Sequence, residues 1–461
     1  MVRLALVATG CLAALPATAE DVNALEAMMQ LFLGKRDSSK LGLSSTLDQK
    51  LLDEQWAEWK RLYGRSYATA AEDSKRKAIF ADNLSRAARQ NAMDKNWVPY
   101  GHLSPLADRK PNEVLNPNAG LTRPGHDEAL LKTTMSAPLL LKGRDAADVP
   151  ASYSWLEKGY TNPVKNQGQC GSCWAFATSA NVEGAALVEL NELYSLSEQQ
   201  LVDCDGKDNG CDGGLPEQAD KWLIAKDVGL EREQAYPYKG EVGPCVQDPK
   251  RERIFVHSFV KISDMEDEMA AALMKYGPLS IGINANLMQM YMGGVAEPDP
   301  EACDPEELNH GVTLVAFGED AAVMGDPFAI KNVISSQLAL QTQGAVTLAR
   351  KAAGTTKGAR LGSPIDVTSL MHPFLVQKEG STKKWWKIRN SWGPEWGEDG
   401  HYRIIRGKGA CGLNQMVTTA TNIRKHPKES DMTKTAETKV ASQAIQSAVD
   451  AKTSSKVELY V

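Results

Sequence analysis

The stretch that decides the fold runs from Pro163 to Phe176 and reads Pro-Val-Lys-Asn-Gln-Gly-Gln-Cys-Gly-Ser-Cys-Trp-Ala-Phe. Cys170 and Cys173 stand three residues apart, and an apolar run follows the second cysteine. A glycine-bearing loop therefore leads into a helix that begins near Cys173. A thiol at the start of a helix faces unpaired backbone N–H groups and the positive end of the helix dipole, which favour its thiolate. The stretch predicts that Cys173 is a nucleophile.

The same cysteine spacing also occurs in redox pairs and in zinc sites. A redox pair requires a βαβ context and a reducing cell. A zinc site requires a second pair of Cys or His ligands, and none follows at a suitable spacing. The sequence therefore favours a nucleophilic Cys173 and predicts neither a metal nor a cofactor.

Charge and hydropathy exclude several partners. The chain has 461 residues, a net charge of -6 and a pI near 5.8. No long basic run occurs, so neither nucleic acid nor an anionic membrane surface is an expected partner. Residues 1–19 join Arg3 to an apolar run and to the small residues Ala17-Thr18-Ala19, which is typical of a secretory signal peptide. No stretch is long and apolar enough to predict a transmembrane helix.

Secretion makes the cysteine count informative. Of eight cysteines, Cys11 lies in the signal peptide, so seven remain. An odd number in an oxidising compartment predicts three disulfides and one free, reactive thiol. Six cysteines allow fifteen pairings, and the sequence alone does not separate them.

Residues 20–148 form a cysteine-free region with a predicted helical core at about 47–108 and an extended linker at 109–148. In its second helix six residues recur at spacings of three and four, which places them on one face. They are Glu72, Arg76, Phe80, Asn83, Ala87 and Asn91. An ordinary amphipathic helix would have the same spacing. Asn83-Leu84-Ser85 is a glycosylation sequon, and the sequence leaves its use open.

Two types of pattern divide the rest of the chain. Helical segments follow Cys173 and Ser197, which is placed to cap the second of them. From Ile254 onward strand patterns dominate, including residues 312–317, 385–389 and 402–406. A helical half followed by a β-rich half predicts an α+β protein with two lobes and a cleft between them.

The Cys-Gly-Ser-Cys-Trp motif at 170–174 resembles the local signature of papain-like cysteine proteases. Residues 72–91 resemble the helix signature of cathepsin L-type pro-regions, with Ala87 where isoleucine is usual. A second pro-region signature is matched only at Asp108, with Leu106 in place of phenylalanine. The resemblance covers residues 50–108 and most of 149–423. It implies a papain-like fold, with a helical lobe and a β-barrel-like lobe, preceded by a small helical inhibitory pro-domain.

The resemblance also implies a catalytic set. A thiolate nucleophile needs a base, and the base needs an orienting group. His310 follows Cys173 by 137 residues, within the family spacing of about 130 to 150. Asn390 would orient the imidazole, Trp392 would shield that hydrogen bond, and Gln167 would stabilise the oxyanion. A lone histidine is more often structural, and we expect this of His257 and His401.

The family's disulfides and cleft map onto particular residues here. The implied disulfides are Cys170–Cys211, Cys204–Cys245 and Cys303–Cys411, which leave Cys173 free. The implied substrate-binding residues are Gly213, Gly214, Leu215, Pro216, Leu308, Asn309, Trp392 and Met416. The side chains among them that would form the S2 pocket are apolar, so we expect a preference for Leu, Phe or Val over Arg at P2.

His310 and Asn390 lie 80 residues apart, several times the family's usual gap. About 60 residues, at 318–382, are extra, and could be a surface insertion, a recognition element or an error in the derived protein sequence. We rank the surface insertion first because the segment is glycine-rich and aperiodic. The peptidase domain would span 149–424, and residues 425–461 would form a mobile tail.

The resulting prediction is a thiol-dependent endopeptidase, made as a zymogen inhibited by its own pro-region and acting on protein or peptide substrates. We expect a monomer in the secretory pathway, destined for a lysosome-like or vacuolar compartment or the extracellular space. The alternatives are a peptide ligase that uses the same acyl-enzyme and a non-catalytic peptide-binding homologue. The second predicts substitution at Cys173, His310 or Asn390, and all three are intact.

Overall fold

Two helices form the core of the pro-region. In this computed structural model, which describes residues 45–94, 98, 100–115, 121, 149–323 and 377–426, they are α1 (Ser45–Leu62) and α2 (Ala70–Met93). The N–H of Glu72 donates to the Thr69 hydroxyl at 3.1 Å, which caps α2. A short helix, α3 (Pro111–Val114), ends the pro-region core. The predicted signal peptide, most of the linker, the middle of the insertion and nearly all of the tail lie outside the described residues.

The predicted face of α2 is confirmed. Its apolar members pack against Trp56 and Trp59 of α1, whose rings stack at 5.3 Å. Glu72 and Arg76 form the expected ion pair at 2.8 Å. The buried residues of this face are Phe80, Asn83, Ala87 and Asn91.

Asn83 uses its side chain inside the pro-region. Its Nδ2 donates to the carbonyls of Ala107 and Arg109 at 2.8 and 2.7 Å, and the residue is only 1% exposed. A glycan would have to replace a proton on this buried nitrogen and break both bonds. The fold of the pro-region therefore disfavours a glycan at Asn83.

The central helix of the peptidase domain is α4 (Cys173–Leu190), and its first fourteen residues are all buried. It passes between two apolar clusters, and Gly184 allows it to approach Pro278, since a Cβ there would lie 2.4 Å from the proline ring. A helix that is apolar on all sides is a helix buried in a core. The other helices are α5 (Glu198–Cys204), α6 (Pro216–Lys226) and α7 (Glu266–Tyr276). Ser197 caps α5 as expected, accepting from the N–H of Gln200 at 3.0 Å.

Nine strands of the described residues form one sheet. Their order is β2-β3-β9-β4-β6-β7-β8-β5, with β1 beside β6. The strands are β1 (Tyr153–Ser154), β2 (Leu230–Glu231), β3 (Arg253–Lys261), β4 (Leu279–Ile283), β5 (Val295–Ala296), β6 (His310–Val323), β7 (Gln377–Arg389), β8 (His401–Ile405) and β9 (Val417–His426).

The α+β class is confirmed, and the sheet does not close into a barrel. The sheet is open, because its edge strands β2 and β5 pair only with β3 and β8. Each edge strand has two residues, too few for the ladder of hydrogen bonds that closure would require. The central strands β4, β6 and β9 pack against α4, which positions the start of that helix at the sheet edge.

The described ends of the predicted insertion are strands. β6 continues to Val323 and β7 begins at Gln377, and the register pairs Glu319 with Lys384 and Ala321 with Thr382. The aperiodic, polar sequence on both sides concealed this pairing, because a ribbon beyond the core does not need alternating apolar residues. The extra segment therefore leaves the sheet through an antiparallel ribbon, which includes residues at both predicted ends of the insertion.

Three disulfides hold the peptidase domain. They are Cys170–Cys211, Cys204–Cys245 and Cys303–Cys411. This is the pairing that the family resemblance implies. Among the described residues Cys173 is the free cysteine, and it is buried.

Candidate active site

Cys173 is the first residue of α4, and it is 4% exposed. Burial raises the pKa of its thiol, while backbone hydrogen bonds, that with Gly311 foremost, act in the opposite direction. Gly311 allows a close approach here, because a Cβ at that position would lie 3.3 Å from the Cys173 carbonyl. The start of the helix thus packs directly against the start of β6.

His310 is the first residue of β6, and Asn390 follows the last residue of β7. Antiparallel pairing of Thr313 with Arg389 brings these two strand ends to the same edge of the sheet, although 80 residues separate them. His310 Nε2 lies 2.8 Å from Asn390 Oδ1, and the Trp392 ring stacks on the imidazole at 5.0 Å. Sheet register, not sequence distance, therefore assembles the pair.

The amide orientation fixes the tautomer of His310. Asn390 Oδ1 also accepts the N–H of Ser391 at 2.8 Å, so this atom is an acceptor toward both groups. His310 Nε2 must therefore carry the proton of the neutral imidazole, which leaves Nδ1 as the unprotonated nitrogen. Burial lowers the pKa of His310 to about 4, and the hydrogen bond to Asn390 opposes that shift.

Gln167 is held at both ends of its side chain. Its Oε1 accepts from the Ser391 hydroxyl at 2.6 Å, and its Nε2 donates to the Cys170 carbonyl at 3.0 Å. The sequence did not single out Ser391 as the residue that orients this amide. Its position directly after Asn390 was the available signal, because a residue that follows an orienting amide lies at the same edge of the sheet.

One cavity of about 310 Å³ contains the thiol, the imidazole and the Gln167 amide. Cys173, His310, Gln167 and Asn309 line it from the peptidase side. The pro-region covers it with residues 112–115. Asn309 is held at this wall because its Oδ1 accepts the N–H of Ala285 at 2.8 Å.

Leu308 and Met416 meet over Gly282. A Cβ at Gly282 would lie 2.9 Å from Met416 Cε and 3.1 Å from Leu308 Cδ1. The third side chain at this point is Leu121 of the pro-region, at 3.0 Å. Leu121 is only 6% exposed, so a pro-region leucine fills the space between the two residues.

The predicted glycine loop at residues 213–216 lies outside the lining of the cavity around Cys173. None of Gly213, Gly214, Leu215 and Pro216 is among the described residues that line the cavity around Cys173. Leu215 is 1% exposed and forms part of the interior, with its N–H bonded to Asp208. Pro216 begins α6. Asn309 and His310 therefore line the cavity around Cys173, whereas Leu308 and Met416 meet over Gly282 and the residues of this loop lie outside the cavity lining.

His257 and His401 lie away from this cavity. His257 stacks on Phe255 at 6.3 Å, and His401 Nδ1 lies 2.9 Å from the Asp399 carbonyl. Within the described ranges no three His, Cys, Asp or Glu side chains form a group that could hold a metal ion. In the same ranges no helix is both long enough and apolar enough to cross a membrane.

Comparison with known proteins agrees with this geometry. Residues 149–351 and 329–421 match the papain family cysteine protease model, and residues 56–114 match the cathepsin propeptide inhibitor domain. A probable cysteine protease RD19D of Arabidopsis thaliana is 35% identical, over 77% of this chain and 82% of its own length. Cysteine proteinase 15A of Pisum sativum is 33% identical, over 80% of this chain and 86% of its own length.

The fold is also similar to solved structures of procathepsins. A digestive procathepsin L 3 of Tenebrio molitor has a TM-score of 0.58 and 25% identity, and the match covers 80% of this chain and 99% of that one. Fold and site together define a cysteine peptidase with its own inhibitory propeptide. Within that class, the chain belongs to the papain family of cysteine proteases and is a zymogen.

Proposed function

We propose that the chain is an endopeptidase that cleaves peptide bonds through a Cys173 acyl-enzyme, with a preference for apolar side chains at P2. The observation that carries the proposal is the shared cavity of Cys173, His310 and Gln167, with His310 hydrogen-bonded to Asn390. This set contains a nucleophile, a base with a fixed tautomer and an amide donor for an oxyanion.

The reaction follows from these groups. His310 Nδ1 takes the thiol proton, and the Cys173 sulfur attacks the carbonyl carbon of the scissile bond. Gln167 Nε2 and the Cys173 N–H donate to the oxygen that becomes negative. The imidazolium then protonates the leaving amine, and the C–N bond breaks. Water, deprotonated by His310, attacks the thioester, and the thiolate leaves as the acid product forms.

The covered cleft accounts for inhibition. In the cavity under residues 112–115, burial raises the pKa of the Cys173 thiol and lowers that of His310 to about 4, and each shift favours the neutral form of its group. A neutral thiol is a weak nucleophile. Removal of the pro-region admits water, which favours the thiolate–imidazolium pair.

The space that Leu121 fills supports the P2 preference. Leu308, Met416 and Gly282 present no charge to it. Burial of an apolar side chain there contributes about 1.5 to 3 kcal/mol, whereas an unpaired cation would lose its hydration. A substrate leucine would take the place that Leu121 occupies in the zymogen.

The three disulfides support passage through an oxidising compartment. We therefore place the protein in the secretory pathway, with a lysosome-like, vacuolar or extracellular destination. Its proposed partners are peptide substrates and its own pro-region, and the proposed active form is a monomer.

The test uses the full-length chain, activated at acidic pH, and peptide products identified by mass spectrometry. Cys173→Ala and His310→Ala should abolish hydrolysis and self-processing, while all three disulfides still form. His257→Ala is the matched histidine control and should remain active, because His257 lies outside the cavity. Turnover near the parent level in Cys173→Ala would refute the proposal. Transfer of the acyl group to an added amine in preference to water would instead support the ligase alternative.

A further inference from the structure

The Tyr238 hydroxyl contacts the chain on both sides of the predicted oxyanion hole, at a backbone carbonyl on one side and at a serine hydroxyl on the other. It donates to the Gln167 carbonyl at 2.9 Å and lies 2.6 Å from the Ser172 hydroxyl. Gln167 carries the oxyanion amide, and Ser172 immediately precedes Cys173 in the chain. One phenol thus connects the two segments that would hold an oxyanion.

The protons in this contact can be assigned. A phenol has one proton, and a backbone carbonyl can only accept, so Tyr238 gives its proton to Gln167. The Ser172 hydroxyl must then donate to the Tyr238 oxygen. Burial raises the pKa of Tyr238 to about 12, so its proton stays in place at acidic and neutral pH. The result is a directed chain from Ser172 through Tyr238 to the Gln167 carbonyl.

The Ser172 hydroxyl takes part in this series of hydrogen bonds and does not cap its own helix. It is the N-cap residue of α4, where a serine hydroxyl usually accepts an N–H of the first turn. Its side chain makes no such bond, and its backbone is not extended, with φ -93° and ψ 16°. The hydroxyl that could stabilise the helix is therefore committed to Tyr238.

The Tyr238 ring is itself fixed. The Phe176 ring packs edge-on against it, with centroids 4.9 Å apart, and the Tyr238 N–H donates to Glu233 Oε1 at 2.9 Å. The loop that contains Gln167 has a glycine, Gly168, with φ +65° directly after it, and glycine gives a backbone conformational freedom. The contact with Tyr238 restricts this loop. On the other side, the Gln167 N–H donates to the Ser391 carbonyl at 2.9 Å. The Gln167 peptide is thus clamped between Ser391 and Tyr238.

We propose that Tyr238 is a positioning residue that sets the separation of the Gln167 amide from Cys173, and so tunes the oxyanion hole. The inference rests on the proposed peptidase function. Substrate binding in the ground state does not need this separation, because the negative oxygen exists only in the transition state and the tetrahedral intermediate. Loss of the phenol hydroxyl should therefore lower kcat and leave KM nearly unchanged.

The experiment compares Tyr238→Phe with Tyr236→Phe in the activated full-length chain. Tyr236 belongs to the same loop, but its hydroxyl donates to Asp203 at 2.9 Å and does not contact Gln167. Direct loss of one oxyanion donor costs about 100- to 1000-fold in kcat, so displacement of the donor in Tyr238→Phe should cost roughly tenfold. KM should stay within about twofold, and Tyr236→Phe should keep the parent kcat in folded enzyme.

Two reagents distinguish a displaced oxyanion donor from a disturbed Cys173–His310 pair. A peptide aldehyde forms a hemithioacetal whose oxygen enters the oxyanion hole, so its inhibition constant should rise in Tyr238→Phe by about the same factor as kcat falls. Iodoacetamide alkylates Cys173 without needing that hole, so its rate should not change. Ser172→Ala removes the hydroxyl that donates to Tyr238 but keeps the bond from Tyr238 to Gln167. It should lower kcat and weaken aldehyde inhibition in the same way but by smaller factors, and it replaces Tyr238→Phe if that variant does not fold.

Equal kcat in Tyr238→Phe and Tyr236→Phe would overturn the inference while the proposed function stands. A parallel loss of kcat and of alkylation rate would also overturn it, because it would mean that the Cys173–His310 pair has moved. Absence of turnover in the parent chain would reject the proposed function, and this inference with it.

Discussion

At the scale of single residues, the space over Gly282 determines the predicted specificity. Met416→Glu places a carboxylate beside Leu308, where a P2 arginine could pair with it. We expect the ratio of kcat/KM for P2-Arg over P2-Leu peptides to rise at least about tenfold, which corresponds to about 1.4 kcal/mol. Paired substrates that differ only at P2 measure this ratio.

Met265→Glu is the control for the added charge. Met265 is 50% exposed and is not among the side chains that meet over Gly282, so its substitution should leave the ratio unchanged. An equal ratio in Met416→Glu and in the parent would mean that Met416 does not line the P2 site.

The Leu121 contact was not predictable from sequence, because nothing local in the linker pairs that leucine with residues 308 and 416.

At the scale of elements, the sequence predicted features that depend on nearby residues but not those that depend on contacts between distant segments. The helix after Cys173, the Ser197 cap and the buried face of α2 follow from spacing within a few residues, and each is found in the structure. Closure of the sheet depends on whether β2 and β5 meet, and no local pattern encodes that. The hydrogen bond from Ser391 to Gln167 joins residues 224 positions apart, and the position of Ser391 directly after Asn390 was its one sequence signal.

The β6–β7 ribbon leads to a prediction about the extra segment. Replacement of residues 324–376 by a short turn keeps the described strand pairs, including Val323 with Gln377. Since His310 and Asn390 lie at the opposite end of this ribbon, we expect turnover of small peptides to stay within about threefold, less than 1 kcal/mol. Kinetics on a short P2-Leu substrate provide the measurement.

A wider deletion is the comparison. Removal of 319–381 also takes away the pairing of Glu319 with Lys384 and Ala321 with Thr382. It should lower the thermal stability of the peptidase domain more than the narrow deletion does. Complete loss of activity in a folded narrow deletion would show that residues 324–376 support His310 or Asn390, contrary to the surface-insertion proposal.

At the scale of the whole molecule, the pro-region docks through the segment around His102. Tyr100 forms a β-bridge with Tyr291, the Gly101 N–H donates to Met290 at 2.9 Å, and the Ser104 hydroxyl donates to Gln289 at 2.6 Å. These contacts form a seam between the pro-region and the peptidase domain. The groups that titrate within it therefore link inhibition to pH.

His102 makes this docking sensitive to acid. It is 5% exposed, and burial lowers its pKa to about 4. Its ordinary value near 6.5 returns when the pro-region unfolds, so the unfolded form binds an extra proton between those two values. Stability of the docked pro-region should thus fall as the pH drops from about 6.5 to about 4, and this histidine adds no further loss below that. The full shift corresponds to roughly 3 kcal/mol.

His102→Gln retains a polar side chain but removes the titration. In the Cys173→Ala background, which prevents self-cleavage, we expect it to lose less thermal stability than its parent between about pH 7 and pH 4.5. His257→Gln is the control: it exchanges a half-buried histidine on β3 and should show the pH dependence of the parent. An unchanged pH dependence in His102→Gln would assign the acid response to other groups. In the active chain, the same substitution should slow self-processing most near pH 4, because there the accumulated contribution of His102 protonation to release of the pro-region is largest.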